Sequence, residues 1–227
     1  MKMKVCHIDT ETTGLTEAHG VIQVSGMIEI NGEAVEEFDV RMQPFKGDLI
    51  SDKALEVNGL TREALAGLPT PAAGKAELDS IFSRYVKKFD KKDKLWFVGY
   101  NAWFDWNVMQ TFYKKCSDKY FGSFFFYPFI DTAVLAGICL ETERCQMENF
   151  KLATVATKMG ILYDKEKLHD ALTDVKLSRE IYWRFKDAAR GEIVQQDNSR
   201  GGRQIPMFDA GKSSRVSIRS GDTRPAW

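Results

Sequence analysis

The chain has 227 residues, 44% of them hydrophobic and 12% aromatic, with 32 Lys plus Arg against 32 Asp plus Glu. That is enough for one α/β domain with a sizeable core, and a zero formal charge excludes a protein drawn to nucleic acid by a global field, so such contact must come from a local site or a bound metal. Cys6, Cys116, Cys139 and Cys145 form no CxxC pair and read as reduced thiols of a cytoplasmic protein; the charged start MKMKVCHIDTE is unlike a secretory segment, and no apolar run reaches the length of a membrane span.

In chain order, Lys4 to Asp9 reads as a short, β-branched strand. Val21 to Ile30 is a second strand. Asn31-Gly32 then marks a hairpin, because a type I′ turn needs positive φ at both positions. Glu33 to Met42 returns as a third strand, with Val35, Phe38 and Val40 alternating. Lys75 to Phe89 is an amphipathic helix with Leu78, Ile81, Phe82, Tyr85 and Val86 on one face. Leu95 to Tyr100 is an apolar fourth strand, Trp103 to Cys116 a helix, and Phe129 to Asp131 a short fifth strand. Helices follow at Thr132–Cys139, Phe150–Met159 and Asp170–Ala188. Strands first, then strands alternating with helices, predict a mixed sheet flanked by helices. After Arg190 the chain turns polar and Gly-, Ser- and Arg-rich, the composition of a flexible tail.

Three acidic elements stand out. Asp9-Thr10-Glu11 lies at the end of the first strand, where alternation points Asp9 and Glu11 to one side. Two such carboxylates repel unless a cation bridges them, and their hard oxygens suit Mg²⁺ or Mn²⁺. Gly14 follows, permitting a tight turn beside a substrate. The strand WFVGY delivers Asn101 to its C-terminal end and places Asp105 in the first turn of the next helix. There Asp105 could equally complement the helix dipole. In HDALTD, Asp170 is a good N-cap, His169 precedes the helix and Asp174 lies about one turn inside it. A neutral histidine beside a carboxylate can activate a water.

In this order DTETTGL, NAWFDWNVM and HDALTD resemble the three motifs of the DEDDh, or DnaQ-like, 3′→5′ exonucleases, which include the proofreading epsilon subunits of bacterial replicases. Glu56–Thr61 and FKLATVATKMGI agree with the same family, although His is usual where Asn58 stands, which puts any contact from that loop in doubt. The resemblance implies an RNase H-like fold with a mixed five-stranded sheet, an exonuclease domain over 1–190 and a tail over 191–227. It implies Asp9, Glu11, Asp105 and Asp174 as ligands of two Mg²⁺ or Mn²⁺ ions and His169 as general base. Thr12, Leu15, Asn101 and Phe104 resemble substrate-side residues; for Phe104 and Trp106 core packing is an equal alternative. The implied substrate is the 3′ end of single-stranded nucleic acid, DNA favoured over RNA, with an RNA 3′-trimming nuclease and a non-enzymatic adaptor bound to a clamp or polymerase as alternatives. The run KKFDKKDK at 87–94 is either a phosphate track or a solvated loop. In the tail, QIPMF at Gln204–Phe208 resembles the pentapeptide that docks on a bacterial sliding clamp, with Gln204, Met207 and Phe208 as contacts and a clamp or replicative polymerase as the implied partner.

Overall fold

The computed structural model describes residues 2–164 and 170–189, all within a single compact unit. His169 and the tail from 190 onward, with Gln204, Met207 and Phe208, lie outside the described residues. The strands are β1 (Lys4–Thr12), β2 (Val21–Ile30), β3 (Glu33–Arg41), β4 (Leu95–Gly99) and β5 (Phe125–Asp131). The helices are α1 (Asp52–Val57), α2 (Arg62–Ala66), α3 (Pro71–Ser83), α4 (Ala102–Lys115), α5 (Thr132–Cys139), α6 (Leu152–Lys158) and α7 (Ala171–Ala189).

The five strands form one sheet in the order β3-β2-β1-β4-β5. β1, β2 and β3 pair antiparallel, whereas β4 joins β1 and β5 joins β4 in parallel. The meander turns on Asn31 and Gly32, at φ 57° and 94°, as the hairpin signal requires. The parallel pairs need crossovers; these carry α3 and α4 onto one face, while α5 and α7, which follow the last strand, cover the other.

Alternation along β1 splits the core. Cys6 and Ile8 face Leu78, Ile81 and Phe82 of α3 and Trp106, Met109 and Phe112 of α4. Val5 faces Tyr182 of α7, with Leu135 of α5 alongside. Each fully buried ring in these layers, Phe82 and Phe97 among them, contributes roughly 1.5–3 kcal/mol of apolar burial. The parallel alignment of β1 with β4, Val5 opposite Trp96 and His7 opposite Val98, brings the C-terminal ends of both strands to the same edge. In open α/β sheets that edge is where ligands bind.

Several boundaries differ from the sequence reading. β1 runs on to Thr12, so Asp9 and Glu11 stand within the strand rather than at its end. The third helix stops at Ser83 rather than Phe89. Val35 is 46% exposed instead of facing the core, because it stands three residues before Phe38, an odd step that puts it on the other face of the strand. The two short helices α1 and α2 were not anticipated; Leu55 and Leu65 anchor them on Ile22.

Candidate active site

Four carboxylates from three elements meet at the strand-end edge. β1 contributes Asp9 and Glu11, the first turn of α4 contributes Asp105, and the first turn of α7 contributes Asp174. Thr10, on the opposite face of β1 from Asp9, ties α4 to the strand. Its amide donates to Asp105 Oδ1 at 2.9 Å and its hydroxyl to the same oxygen at 2.7 Å. On α7, Asp170 accepts from the Thr173 amide at 3.1 Å, the N-cap geometry that sets the first turn, and Asp174 N–H bonds back to Asp170 O at 3.0 Å.

The charges of these acids act on one another. Burial pushes the Asp9 carboxyl well above the ordinary range, and the charges of Asp105, Glu11 and Asp174 push it further. Burial and then Asp174 raise Glu11 to about 7. Asp105 is raised to about 7 by burial, against the two Thr10 hydrogen bonds that favour its charged form. Carboxylates held this way repel unless a cation bridges them, and all the donors here are hard oxygens. By donor chemistry, Asp9, Glu11, Asp105 and Asp174 therefore fit a divalent ion such as Mg²⁺ or Mn²⁺. Among the described residues no three His, Cys, Asp or Glu side chains are drawn in to the spacing of a preformed metal cluster.

Beside the acids, the turn after β1 and the face of α4 enclose a cavity of about 90 Å³ lined by Thr12, Leu15, Trp103, Phe104 and Asn107 among others. Gly14 makes the turn possible: a Cβ there would meet the His19 ring at 2.2 Å. Leu15 is 85% exposed and Trp103 64%. Three of the four substrate-side residues expected from sequence thus share one concavity. The fourth, Asn101, caps α4 in a left-handed conformation with φ 60°, its amide donating to Asp131 Oδ1 at 3.0 Å. Trp106 is core, its ring stacked among Phe97, Phe121 and Phe129.

Sequence reasoning passed over Thr10, although strand alternation alone turns it away from Asp9 and toward α4. It also left the Asn58 loop in doubt, and here the Asn58 amide donates to Thr12 O at 3.1 Å, bracing the turn. Trp103 carried no signal apart from its place in the second motif.

Residues 6–182 match the exonuclease family model RNase_T. The chain is 26% identical over 183 residues to the Ribonuclease T of Buchnera aphidicola subsp. Baizongia pistaciae, covering 77% of this chain and 80% of that protein. It is 25% identical over 190 residues to the DNA polymerase III subunit epsilon of Pasteurella multocida, covering 77% and 65%. Its fold superposes on E. coli exonuclease I in complex with a dT13 oligonucleotide with a TM-score of 0.64 at 21% identity, covering 83% of this chain but only 41% of that one.

Proposed function

The chain belongs to the RNase_T exonuclease family, the DnaQ-like 3′→5′ exonucleases, and from that premise we propose that it removes 5′-mononucleotides from the 3′ end of single-stranded DNA with divalent metal ions as cofactors. The observation that carries this reading is the gathering of Asp9, Glu11, Asp105 and Asp174, whose charges act on Asp9 and Glu11 and add to the burial that raises both carboxyls.

Those four acids would hold two Mg²⁺ or Mn²⁺ ions, which when bound supply positive charge against the charge developing on the phosphate and the leaving oxygen. Thr10 holds Asp105 in place and favours its charged form against burial. Thr12 and Leu15, with Phe104 behind them, would grip the last nucleotide in the adjoining cavity, a shape suited to an unpaired end. His169, as neutral imidazole, would take the proton of the attacking water. The new bond joins water oxygen to phosphorus, the bond from phosphorus to the preceding 3′-oxygen breaks, and a 5′-mononucleotide leaves.

DNA as substrate is supported by the likeness to the epsilon subunit, and a role in replication proofreading or repair goes with it. QIPMF supports a bacterial-type sliding clamp, or the replicative polymerase, as partner. The likeness to Ribonuclease T favours RNA trimming as a second reading. An exonuclease domain over 1–190 with a docking tail over 191–227 fits both. Among the described residues no helix is long and apolar enough to cross a membrane; we place the protein in the cytoplasm on its reduced thiols. The test is a panel of labelled single-stranded DNA, duplex DNA and RNA with Mg²⁺ and with Mn²⁺. Faster turnover of single-stranded DNA is expected, and faster turnover of RNA oligomers overturns the DNA assignment. For the tail, wild-type chain but not Phe208→Ala should bind an immobilised clamp; equal capture of both removes the motif from the account.

A further inference from the structure

At the opposite end of the sheet from the acids, two aromatic rings are held in solvent among lysines. Phe89 is 61% exposed and Tyr120 49%. They pack edge to face with centroids 5.3 Å apart. Phe89 has φ 74°, the left-handed region that glycine adopts freely and an aromatic residue only against steric resistance. The loop is knotted to hold it there. Lys87 N–H donates to Asp93 Oδ2 at 3.0 Å, Lys92 N–H to Asp90 Oδ1 at 2.9 Å, and Asp90 N–H to Lys87 O at 3.0 Å. Asp93 is ion-paired in turn with Lys4 at the start of β1. The ring meets Tyr120 and the Lys88 ammonium, 5.7 Å from its centre, yet most of it stays in solvent, and a left-handed outlier fixed by this many bonds points to a use for that exposure.

The surrounding charge indicates what the rings would meet. Asp118 is neutralised by Lys75 at 3.0 Å and Lys88 at 3.3 Å, as Asp93 is by Lys4. Lys87, Lys91, Lys92 and Lys119 form no ion pair among the described residues, and Lys119 Nζ lies 5.6 Å from the Tyr120 ring centre. Uncommitted charge around the rings is therefore positive, with Asp90 the one acid not matched by a cation among the described residues. Aromatic faces interleaved with lysines are the elements that bind unpaired bases and their phosphates.

We propose that Phe89 and Tyr120 form a second platform for single-stranded nucleic acid, with Lys87, Lys91, Lys92 and Lys119 against its phosphates. The loop leads into the first residue of β4 while the acids lie beyond the last, so the strand's five residues put about 16 Å of sheet between them. A long substrate with its 3′ end at the acids can reach the platform, and a very short one cannot. The inference rests on the proposed nucleic-acid substrate but not on its hydrolysis.

The test is fluorescence anisotropy of the full chain with a 5′-fluorescein oligothymidylate of about 20 nucleotides, longer than a typical single-strand site, in EDTA so that nothing is cleaved. Phe89→Gly and Tyr120→Ala should each weaken binding by about tenfold, the scale of one stacked base. Lys91→Gln with Lys92→Gln should flatten the slope of log K on log salt by roughly 0.7 for each phosphate left without its lysine. Phe89→Gly relieves the left-handed aromatic, so its melting temperature should hold or rise; a purely structural role would lower it. In Mg²⁺, hydrolysis of a dinucleotide, too short to span from the acids to the platform, should not change. Wild-type affinity in both aromatic variants overturns the platform. So does an equal loss on the short oligomer, or sedimentation showing a wild-type dimer that Phe89→Gly makes a monomer. Phe89-dependent binding by a chain that hydrolyses nothing would instead overturn the exonuclease reading and leave the platform standing.

Discussion

Thr10 and Asp105, 95 residues apart in the chain, are joined by two hydrogen bonds to one carboxylate oxygen, from the amide at 2.9 Å and the hydroxyl at 2.7 Å. They fasten the α4 acid to the strand that carries Asp9 and Glu11, and they oppose the burial that favours its neutral form.

Thr10→Val keeps the shape and the amide bond but deletes the hydroxyl. Removing such a supporting hydrogen bond weakens metal affinity by about 10–100-fold. The expected outcome is a higher Mg²⁺ concentration for half-maximal activity, with the maximal rate largely recovered at saturation. An unchanged metal titration removes Thr10 from the site.

Glu11 and Asp105 have ordinary values of 4.5 and 3.8 and are held at about 7 in the folded chain, chiefly by burial. Between these limits the folded state binds more protons than the unfolded one. Their contribution is thus fully present below the ordinary values and lost as pH rises through about 7. His7, whose pKa burial depresses, works in the opposite sense in part of this window, so a difference between two proteins is the clean readout. In EDTA, Glu11→Gln should gain melting temperature over wild type as pH rises from about 4.5 to about 8, and Mg²⁺ should shrink the gap. A gap independent of pH contradicts the raised carboxyl.

Buried Glu29 accepts from Trp183 Nε1 at 2.9 Å, faces His7 Nε2 at 3.0 Å and is ion-paired with Arg179. Removing one partner of a buried pair strands the rest, at a cost of about 3–5 kcal/mol. Glu29→Ala should lose that much in denaturant unfolding. Lys176→Ala, which breaks the exposed pair with Glu37, should stay within about 0.5 kcal/mol.

His169→Ala should lower turnover by about 10²–10⁴-fold with KM little changed. Single-turnover rates at saturating metal decide it, and a wild-type rate assigns the proton to another group.

Much of this was legible in the sequence because its signals are local. Val21–Ile30 and Thr132–Cys139 are bounded as expected, since Asn31-Gly32 and the run of small apolar residues punctuate the chain sharply. The acids were legible as three motifs, which β1 and the first turns of α4 and α7 carry. What was hidden depends on partners distant in sequence. Helices of six and five residues are too short for a helical period to register. Glu29 reads as one polar residue in an apolar strand until β1–β2 pairing and α7 surround it. The run 87–94 left a phosphate track and a solvated loop open, and the packing of Phe89 on Tyr120, 31 residues on, could not be read from it.

The claim that four acids hold metal for stepwise cleavage from a 3′ end is tested most directly on linear and circular single-stranded DNA of one sequence. Each is incubated with Mg²⁺, with Mn²⁺ and with EDTA, and Asp9→Ala serves as control. The expected result is 5′-mononucleotides from the linear strand with either metal, no cleavage of the circle, and none of either in EDTA or with Asp9→Ala. Full activity in EDTA, cutting of the circle, or wild-type turnover by Asp9→Ala at saturating Mg²⁺ would refute it.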